Sequence, residues 1–234
     1  NELGLKPDNV KSVVTPGVKE TAKEESDNEE LNSHDSTKYR QLVARASYLA
    51  QDRSDIGYAV KELTRWMSKP GTKDWESLKR LGRYLKGKER MIINFEYQQW
   101  NKRIQVWSDT DYAGCHRTRK STNGGIVRIG NHVIKSYSTT QPVIALSSGE
   151  AEYYGLVKGG SLGLGIKSLA GDLGIIVGID LMTDSTAAQG IASRKGLGRV
   201  RHIEVNQLWI QDKVSTKQIV LIKVKGTENL ADAL

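Results

Sequence analysis

Apolar residues recur every three or four positions in the first part of the chain and every second position in much of the rest. From Lys38 to about Lys88 the spacing predicts three helices, because residues three and four apart share one face of a helix. Pro70-Gly71 interrupts the pattern before the third helix. We therefore expect a small helical segment over residues 38–90.

Beyond Gly87 the alternation of apolar and polar residues predicts a series of strands. These are residues 91–95, 103–107, 125–129, 132–137, 179–183 and 218–224. Gly130-Asn131 has the composition of a two-residue hairpin turn. Helical patterns cover 147 to about 173, begin again after Asp184, and return around 203–214 and from Asn229. Antiparallel strands followed by strand–helix crossovers predict a mixed α/β domain over residues 91–234.

The longest helical pattern contains five glycines: Gly155, Gly159, Gly160, Gly163 and Gly165. A glycine inside a helix costs roughly 0.5–1 kcal/mol relative to alanine. We therefore expect this helix to be weak or broken. The run is also close to a phosphate-binding loop, but Lys167 does not directly follow the second glycine and no strand precedes the loop. A nucleotide-binding loop is therefore disfavoured.

Charge is distributed unevenly along the 234 residues, whose formal net charge is +8. Residues 1–37 contain four lysines and nine acidic residues without apolar periodicity, which predicts a disordered acidic linker. The remainder has a net charge of +13. This excess fits a polyanionic partner such as nucleic acid, and it also fits a basic surface that serves solubility alone.

Two classes of protein are excluded by composition. Cys115 is the single cysteine, so the chain has neither an internal disulfide framework nor a cysteine-based zinc site. No stretch approaches the roughly 18 apolar residues that a membrane span needs.

Four acidic residues stand at the ends of predicted elements. Asp109 and Asp184 follow strands, Glu152 lies in the long helix, and Asp232 opens the last helix. Strand ends are places where side chains converge in α/β proteins. Clustered carboxylates repel one another, so a cluster implies divalent cations, and oxygen ligands favour Mg²⁺ or Mn²⁺. Two such cations would indicate phosphodiester hydrolysis. Alternatively these acids are structural, with Asp184 in Asp184-Ser185-Thr186 capping a helix.

Several motifs, in order along the chain, resemble the ribonuclease H (RNase H) domain of copia-type LTR retrotransposon Pol polyproteins. They are WSDTDYAG at 107–114, RKSTNG at 119–124, ALSSGEAEY at 145–153, RHI at 201–203 and LAD at 230–232. In the helical segment, YRQLV at 39–43, RSDI at 53–56 and LGRYLKG at 81–87 resemble the thumb and connection region that follows the polymerase palm. No Tyr-x-Asp-Asp polymerase motif is present.

The resemblance implies an RNase H-like fold and an enzyme that hydrolyses the RNA strand of RNA–DNA hybrids with two Mg²⁺ or Mn²⁺ ions. The family's acids fall on Asp109, Glu152, Asp184 and Asp232, with Asp109 bridging both ions. Further implied partners are the rest of the Pol polyprotein, including the reverse transcriptase palm and fingers and the integrase. An intracellular location is implied, in cytoplasmic virus-like particles and the nucleus, without membrane contact.

Within these motifs two acids compete with the assigned ones. Glu150 competes with Glu152, which is preferred because apolar residues follow it as in the family helix. Asp111 competes with Asp109 and is expected to support a neighbouring loop.

The sequence also departs from the family pattern in three places. Thr227 stands where cellular RNase H enzymes carry a mobile His, and we expect His202 to pack or cap on its own helix and not to replace that residue. The glycine run replaces a bulkier, more charged helix, and the domain ends shortly after Asp232, so we expect it to be truncated at its C-terminus.

Two alternatives remain beside an active RNase H. One is a nucleic-acid-binding retroelement remnant without catalytic activity. The other is a different nuclease or a transposase of the same fold, which the order Asp, Glu, Asp, Asp disfavours, because transposases present two Asp and then Glu.

Overall fold

A computed structural model of the protein describes residues 3, 11–18, 28–115, 118–198 and 202–233. The chain forms two compact units, Asn1–Asn94 and Phe95–Leu234. About half of the predicted acidic linker (1, 2, 4–10 and 19–27), together with Arg201 and Leu234, lies outside the described residues. Within the described residues, no helix is both long and apolar enough to cross a membrane.

The first unit contains three α-helices: α1 (Ser33–Leu49), α2 (Gly57–Thr64) and α3 (Thr72–Gly87). A 3-10 turn, Ser54–Ile56, precedes α2. One apolar face of each helix fills a common core, as the spacing predicted. The fully buried members of this core include Tyr39, Val43, Ile56 and Leu81.

Residues 28–37, which the sequence analysis assigned to the linker, are bonded to this first unit. The Asn32 side chain accepts a hydrogen bond from the Asp35 amide and caps α1, so the helix begins at Ser33. Asn28 donates to the buried Asp74 carboxylate at the start of α3 (2.9 Å). The acidic composition of this segment predicts a disordered linker and does not indicate these contacts of Asn28 and Asn32. The division into a linker, a helical segment and a C-terminal domain at residues 37 and 90 stays a prediction.

The second unit is built on a five-stranded mixed sheet. Its strands are β1 (Arg103–Asp111), β2 (Thr122–Ile129), β3 (His132–Thr140), β4 (Gly178–Thr183) and β5 (Ile219–Lys223), in the spatial order β3-β2-β1-β4-β5. β1, β2 and β3 pair antiparallel, whereas β4 is parallel to both β1 and β5. The predicted strand at 91–95 does not form: residues 88–102 have no helix or strand.

The glycine-rich helix is continuous, contrary to the expectation from its composition. α4 spans Ser148–Asp172, with Ser147 as its N-cap. A Cβ at Gly163 would lie 3.1 Å from side-chain atoms of Val106 and Ile179, so the missing side chain lets the helix approach β1 and β4 closely. The apolar packing that this close approach allows outweighs the poor helix propensity of glycine.

The remaining elements follow β4. α5 (Thr186–Ser193) leads to a 3-10 turn at Val205–Gln207 and to α6 (Trp209–Ser215). After β5, two 3-10 turns, Gly226–Glu228 and Leu230–Ala233, occupy the place of the predicted terminal helix. The core between the sheet and α4 is apolar and fully buried at Ile104, Val106, Leu156, Ile179, Leu181 and Ile219.

Candidate active site

The parallel pairing of β1 with β4 brings two acidic residues to one edge of the sheet. Trp107 of β1 pairs with Met182 of β4, so Asp109 and Asp184 each lie two residues beyond the same register point. Asp184 follows the last residue of β4. The cap of α5 is Ser185, whose hydroxyl accepts from the Ala188 amide at 3.2 Å. Asp184 is therefore not required as the helix cap.

Glu152 enters this region from the first turns of α4. The Ser147 hydroxyl accepts from the Glu150 amide (3.2 Å), and this cap fixes where the helix starts. One carboxylate oxygen from each of Asp109, Glu152 and Asp184 lies within 4.8 Å of the others. All three side chains are half-buried, so the cluster is partly open to solvent.

Burial and mutual repulsion disfavour the ionised forms of two of these acids. Burial, with the charges of Asp109 and Asp184, raises the pKa of the Glu152 carboxyl to about 8. Burial, the Asp184 charge and then the charges of Asp232 and Asp111 raise the pKa of Asp109. Three acids held together at such cost are typical of a site that binds cations or protons.

Asp232 lies on the turn Leu230–Ala233, is exposed, and is not part of the three-acid group. The turn itself is tied to β1 through Asn229, which is 6% exposed. The Asn229 Nδ2 donates to the Ser108 carbonyl (3.1 Å), and its Oδ1 accepts from the Ala231 amide (3.2 Å). The role of Asp232 as a fourth ligand stays a prediction.

Glu150, the rival of Glu152, has other partners. Its carboxylate accepts from the Leu146 amide (3.0 Å) and the Tyr154 hydroxyl (2.9 Å), and it lies 2.6 Å from His202 Nε2. It is 2% exposed. His202 lies in a turn, so the expectation that it packs or caps on its own helix is wrong: it pairs with Glu150 on α4.

Asp111, the rival of Asp109, is exposed at the end of β1. Its carbonyl accepts from the Gly114 amide (3.4 Å), and a Cβ at Gly114 would collide with its carboxylate. The side chain therefore lies over the loop that follows β1.

The three-acid group has the donors that a divalent cation needs. Carboxylate oxygens are the preferred ligands of Mg²⁺ and Mn²⁺, and a bound cation would relieve the repulsion that raises the Glu152 and Asp109 pKa values. Gly226 lies close by, since a Cβ there would be 3.2 Å from Asp184 Oδ2. The site therefore fits a divalent metal ion.

A buried polar layer beneath the acids was not identified from the sequence. Its members are Thr110, Asn123 and Gln141, each at most 8% exposed. Their residue types did not indicate burial, because Thr, Asn and Gln are ordinarily surface residues. Only the pairing of β1 with β2 and the position of α4 bring them together.

Comparisons with known proteins place the chain among retroelement proteins. No protein-family model matches it. Over 203 residues, or 86% of its length, it is 33% identical to the "Retrovirus-related Pol polyprotein from transposon RE2" of Arabidopsis thaliana. It is 29% identical over 184 residues to the corresponding polyprotein from transposon TNT 1-94 of Nicotiana tabacum. The chain spans 14% of the length of each of these relatives.

Solved structures include two similar chains. A foamy viral protease-reverse transcriptase in complex with double-stranded DNA matches 89% of this chain and 36% of its own, with 10% identity and a TM-score of 0.51. LC11-RNase H1, solved in complex with an RNA/DNA hybrid, matches 56% of this chain and 92% of its own, with 15% identity and a TM-score of 0.40.

The five-stranded mixed sheet, α4 and the acids at the strand ends define an RNase H-like α/β protein, which confirms the predicted fold class. The relatives then specify the group. The chain is a homologue of the copia-type, retrovirus-related Pol polyproteins, and the identification made from the sequence motifs is confirmed.

Proposed function

We propose that this protein is a retroelement ribonuclease H, which hydrolyses the RNA strand of RNA–DNA hybrids with divalent cations. The observation that carries the proposal is the convergence of Asp109, Glu152 and Asp184 from a strand, a helix and a second strand within 4.8 Å. Membership among the Pol polyproteins supports it, because reverse transcription generates such hybrids.

In this proposal four acids would hold two ions, Mg²⁺ or Mn²⁺. Asp109 would contribute to both ions, Glu152 and Asp184 would each help to hold one, and Asp232 would contribute to the second. Bound ions of this kind activate the attacking water and stabilise the leaving oxygen of a phosphodiester. The chain's own contribution is to keep three half-buried carboxylates close together, and a bound cation would favour their ionised forms.

Hybrid binding is assigned to the basic surface of both units. Residues 38–100 contain 14 basic and seven acidic residues, an excess suited to phosphate contacts. The helical unit would act as the thumb and connection region. The rest of the Pol polyprotein, with its reverse transcriptase palm, fingers and integrase, would be the protein partner.

The test is cleavage of a labelled hybrid by the Asp184→Asn variant in the presence of Mg²⁺. Ser185 caps α5, and asparagine keeps the shape of aspartate, so folding should be unharmed. Loss of one anionic ligand should cost about 4 kcal/mol of transition-state stabilisation, which is about a thousandfold in rate. The matched control is Asp172→Asn at the exposed end of α4, which should cleave at the wild-type rate.

Two results would count against the proposal. A near wild-type rate for Asp184→Asn would remove Asp184 from the site. A wild-type protein that binds the hybrid but fails to cleave it with either Mg²⁺ or Mn²⁺ would favour the alternative, a nucleic-acid-binding retroelement remnant without catalytic activity.

A further inference from the structure

Gln141 is the first residue after β3, and its surroundings hold it in one orientation. Its backbone amide donates to the Ser121 carbonyl at 2.8 Å. The side chain is 1% exposed. The Nε2 group donates to the Ala151 carbonyl (2.8 Å) and to Asn123 Oδ1 (2.6 Å). Because a backbone carbonyl accepts only, the amide must turn its NH₂ group toward Ala151.

The Ala151 carbonyl connects α4, which carries Glu152, to β1, which carries Asp109. Ala151 directly precedes Glu152 on α4. The Thr110 hydroxyl, one residue beyond Asp109 on β1, also points at this carbonyl (3.4 Å). Asn123, the other partner of Gln141, lies opposite Thr110 in the β1–β2 register. A single carbonyl beside Glu152 is thus tied to the strand that carries Asp109.

Stability alone does not account for this arrangement. The Gln141 Oε1 atom is buried without a hydrogen-bond partner in the described part of the chain. This unpaired oxygen offsets part of the stability that the two Nε2 hydrogen bonds contribute. Whenever Glu152 is ionised, the negative charges of Asp109 and Asp184 push its carboxylate away. Something in the scaffold must oppose that repulsion, and the Gln141 bond acts at the adjacent peptide group.

We propose that Gln141 is a positioning residue that holds Glu152 against Asp109 in the arrangement that binds the divalent cations. The inference rests on the proposed function for its link to hybrid cleavage. Its link to metal binding does not need cleavage to occur. Gln141 is buried and is not one of the three acids, so its effect would be transmitted through the Ala151 carbonyl.

The test compares Gln141→Met with Gln211→Met in the full chain. Methionine matches glutamine in length and cannot donate a hydrogen bond. Gln211 is a matched control, since it is 7% exposed and also bonds backbone groups, at Ile191 and Gly196, away from the acids. Both variants should lower the melting temperature.

Only Gln141→Met should change the response to metal. Removal of a residue that supports a metal ligand typically costs about 10–100-fold in metal affinity or activity. We expect the half-saturating Mg²⁺ concentration for hybrid cleavage to rise about tenfold and kcat to fall about tenfold or more, with KM for the hybrid within about twofold of wild type. Without substrate, the rise in melting temperature on adding Mn²⁺ should be smaller than for Gln211→Met.

Failure of this inference can be told apart from failure of the proposed function. Wild-type metal dependence and kcat in a folded Gln141→Met variant would overturn the positioning role and leave the nuclease proposal intact. A wild-type chain that does not cleave, but whose Mn²⁺-induced stabilisation is lost in Gln141→Met, would support the positioning role alone. If Gln141→Met does not fold, Thr110→Val tests the same carbonyl: an unchanged response to Mn²⁺ would overturn the inference, and a reduced one would support it.

Discussion

Replacing Glu152 with glutamine should make the metal-free protein more stable at alkaline pH. The substitution keeps the shape of the side chain and removes the charge that burial, Asp109 and Asp184 disfavour. Most acidic-to-neutral changes at a functional site are tested for lost activity. Here the same electrostatic strain predicts a gain in stability that can be measured without any substrate.

The magnitude follows from the pKa. Burial and the neighbouring charges raise the pKa of Glu152 from 4.5 to about 8. In the folded state the group therefore keeps its proton at pH values where the unfolded chain has lost it. The contribution of Glu152 to the free energy of unfolding is fully present below pH 4.5 and is lost as the pH rises toward 8. The full change is equivalent to about 5 kcal/mol. Because Glu152 is partly exposed and water screens part of the effect, we expect about 2–3 kcal/mol.

The assay is urea or thermal unfolding of wild type and Glu152→Gln in a chelator, from pH 5 to pH 9. The free energies of unfolding should agree near pH 5 and diverge toward pH 9, where the variant is more stable. For a unit of this size, 2–3 kcal/mol corresponds to roughly 6–12 °C in melting temperature. Added Mg²⁺ should reverse the order, because it stabilises the wild-type cluster more than the variant.

The control is Glu204→Gln, an exposed acid of the same unit, which should follow the wild-type pH profile. Parallel profiles for wild type and Glu152→Gln between pH 5 and pH 9 would refute the reasoning. They would mean that the three carboxylates are not held together in solution without metal.

Two further predictions concern the glycines of α4 and the helical unit. Gly165→Ala should raise the free energy of unfolding, measured with denaturant, by about 0.5–1 kcal/mol, because nothing lies within 4 Å of the new Cβ. Gly163→Val should lower it by about 1–3 kcal/mol, because the new side chain would press against Val106 and Ile179. Equal effects would contradict the close helix–sheet contact. Residues 95–234 alone should bind the hybrid more weakly than the full chain, and with a shallower salt dependence, while retaining some cleavage at high enzyme concentration. An unchanged affinity and salt slope would show that the helical unit takes no part in binding.

The sequence by itself determined the elements whose signals are local. Strand alternation located β1 to β5 to within a few residues, and Gly130-Asn131 identified the hairpin between β2 and β3. It also singled out Asp109, Glu152, Asp184 and Asp232 as acids at the ends or starts of elements, and their role as metal ligands stays a prediction. The strand and hairpin predictions succeeded because side-chain periodicity and turn chemistry depend on neighbours along the chain.

Where the sequence failed, a contact distant in the chain was decisive. The alternation in segment 91–95 predicts a strand, but the segment pairs with no strand among the described residues. α4 is continuous because its glycines pack on β1 and β4. Within the predicted linker, Asn28 and Asn32 bond to the helical unit, and no local pattern indicated these contacts. Intrinsic propensity is a weak preference that packing overrides.

The tertiary structure alone decided which acids meet. Glu150 and Glu152 are two residues apart, and a helix turns about 200° over that distance, so the two carboxylates point to opposite sides of α4. One pairs with His202, and the other joins Asp109 and Asp184. The β1–β4 register set Asp109 beside Asp184, and the turn Leu230–Ala233 left Asp232 outside the group. Strand register and helix orientation arise from packing over the whole unit, and no local pattern in the sequence encodes them.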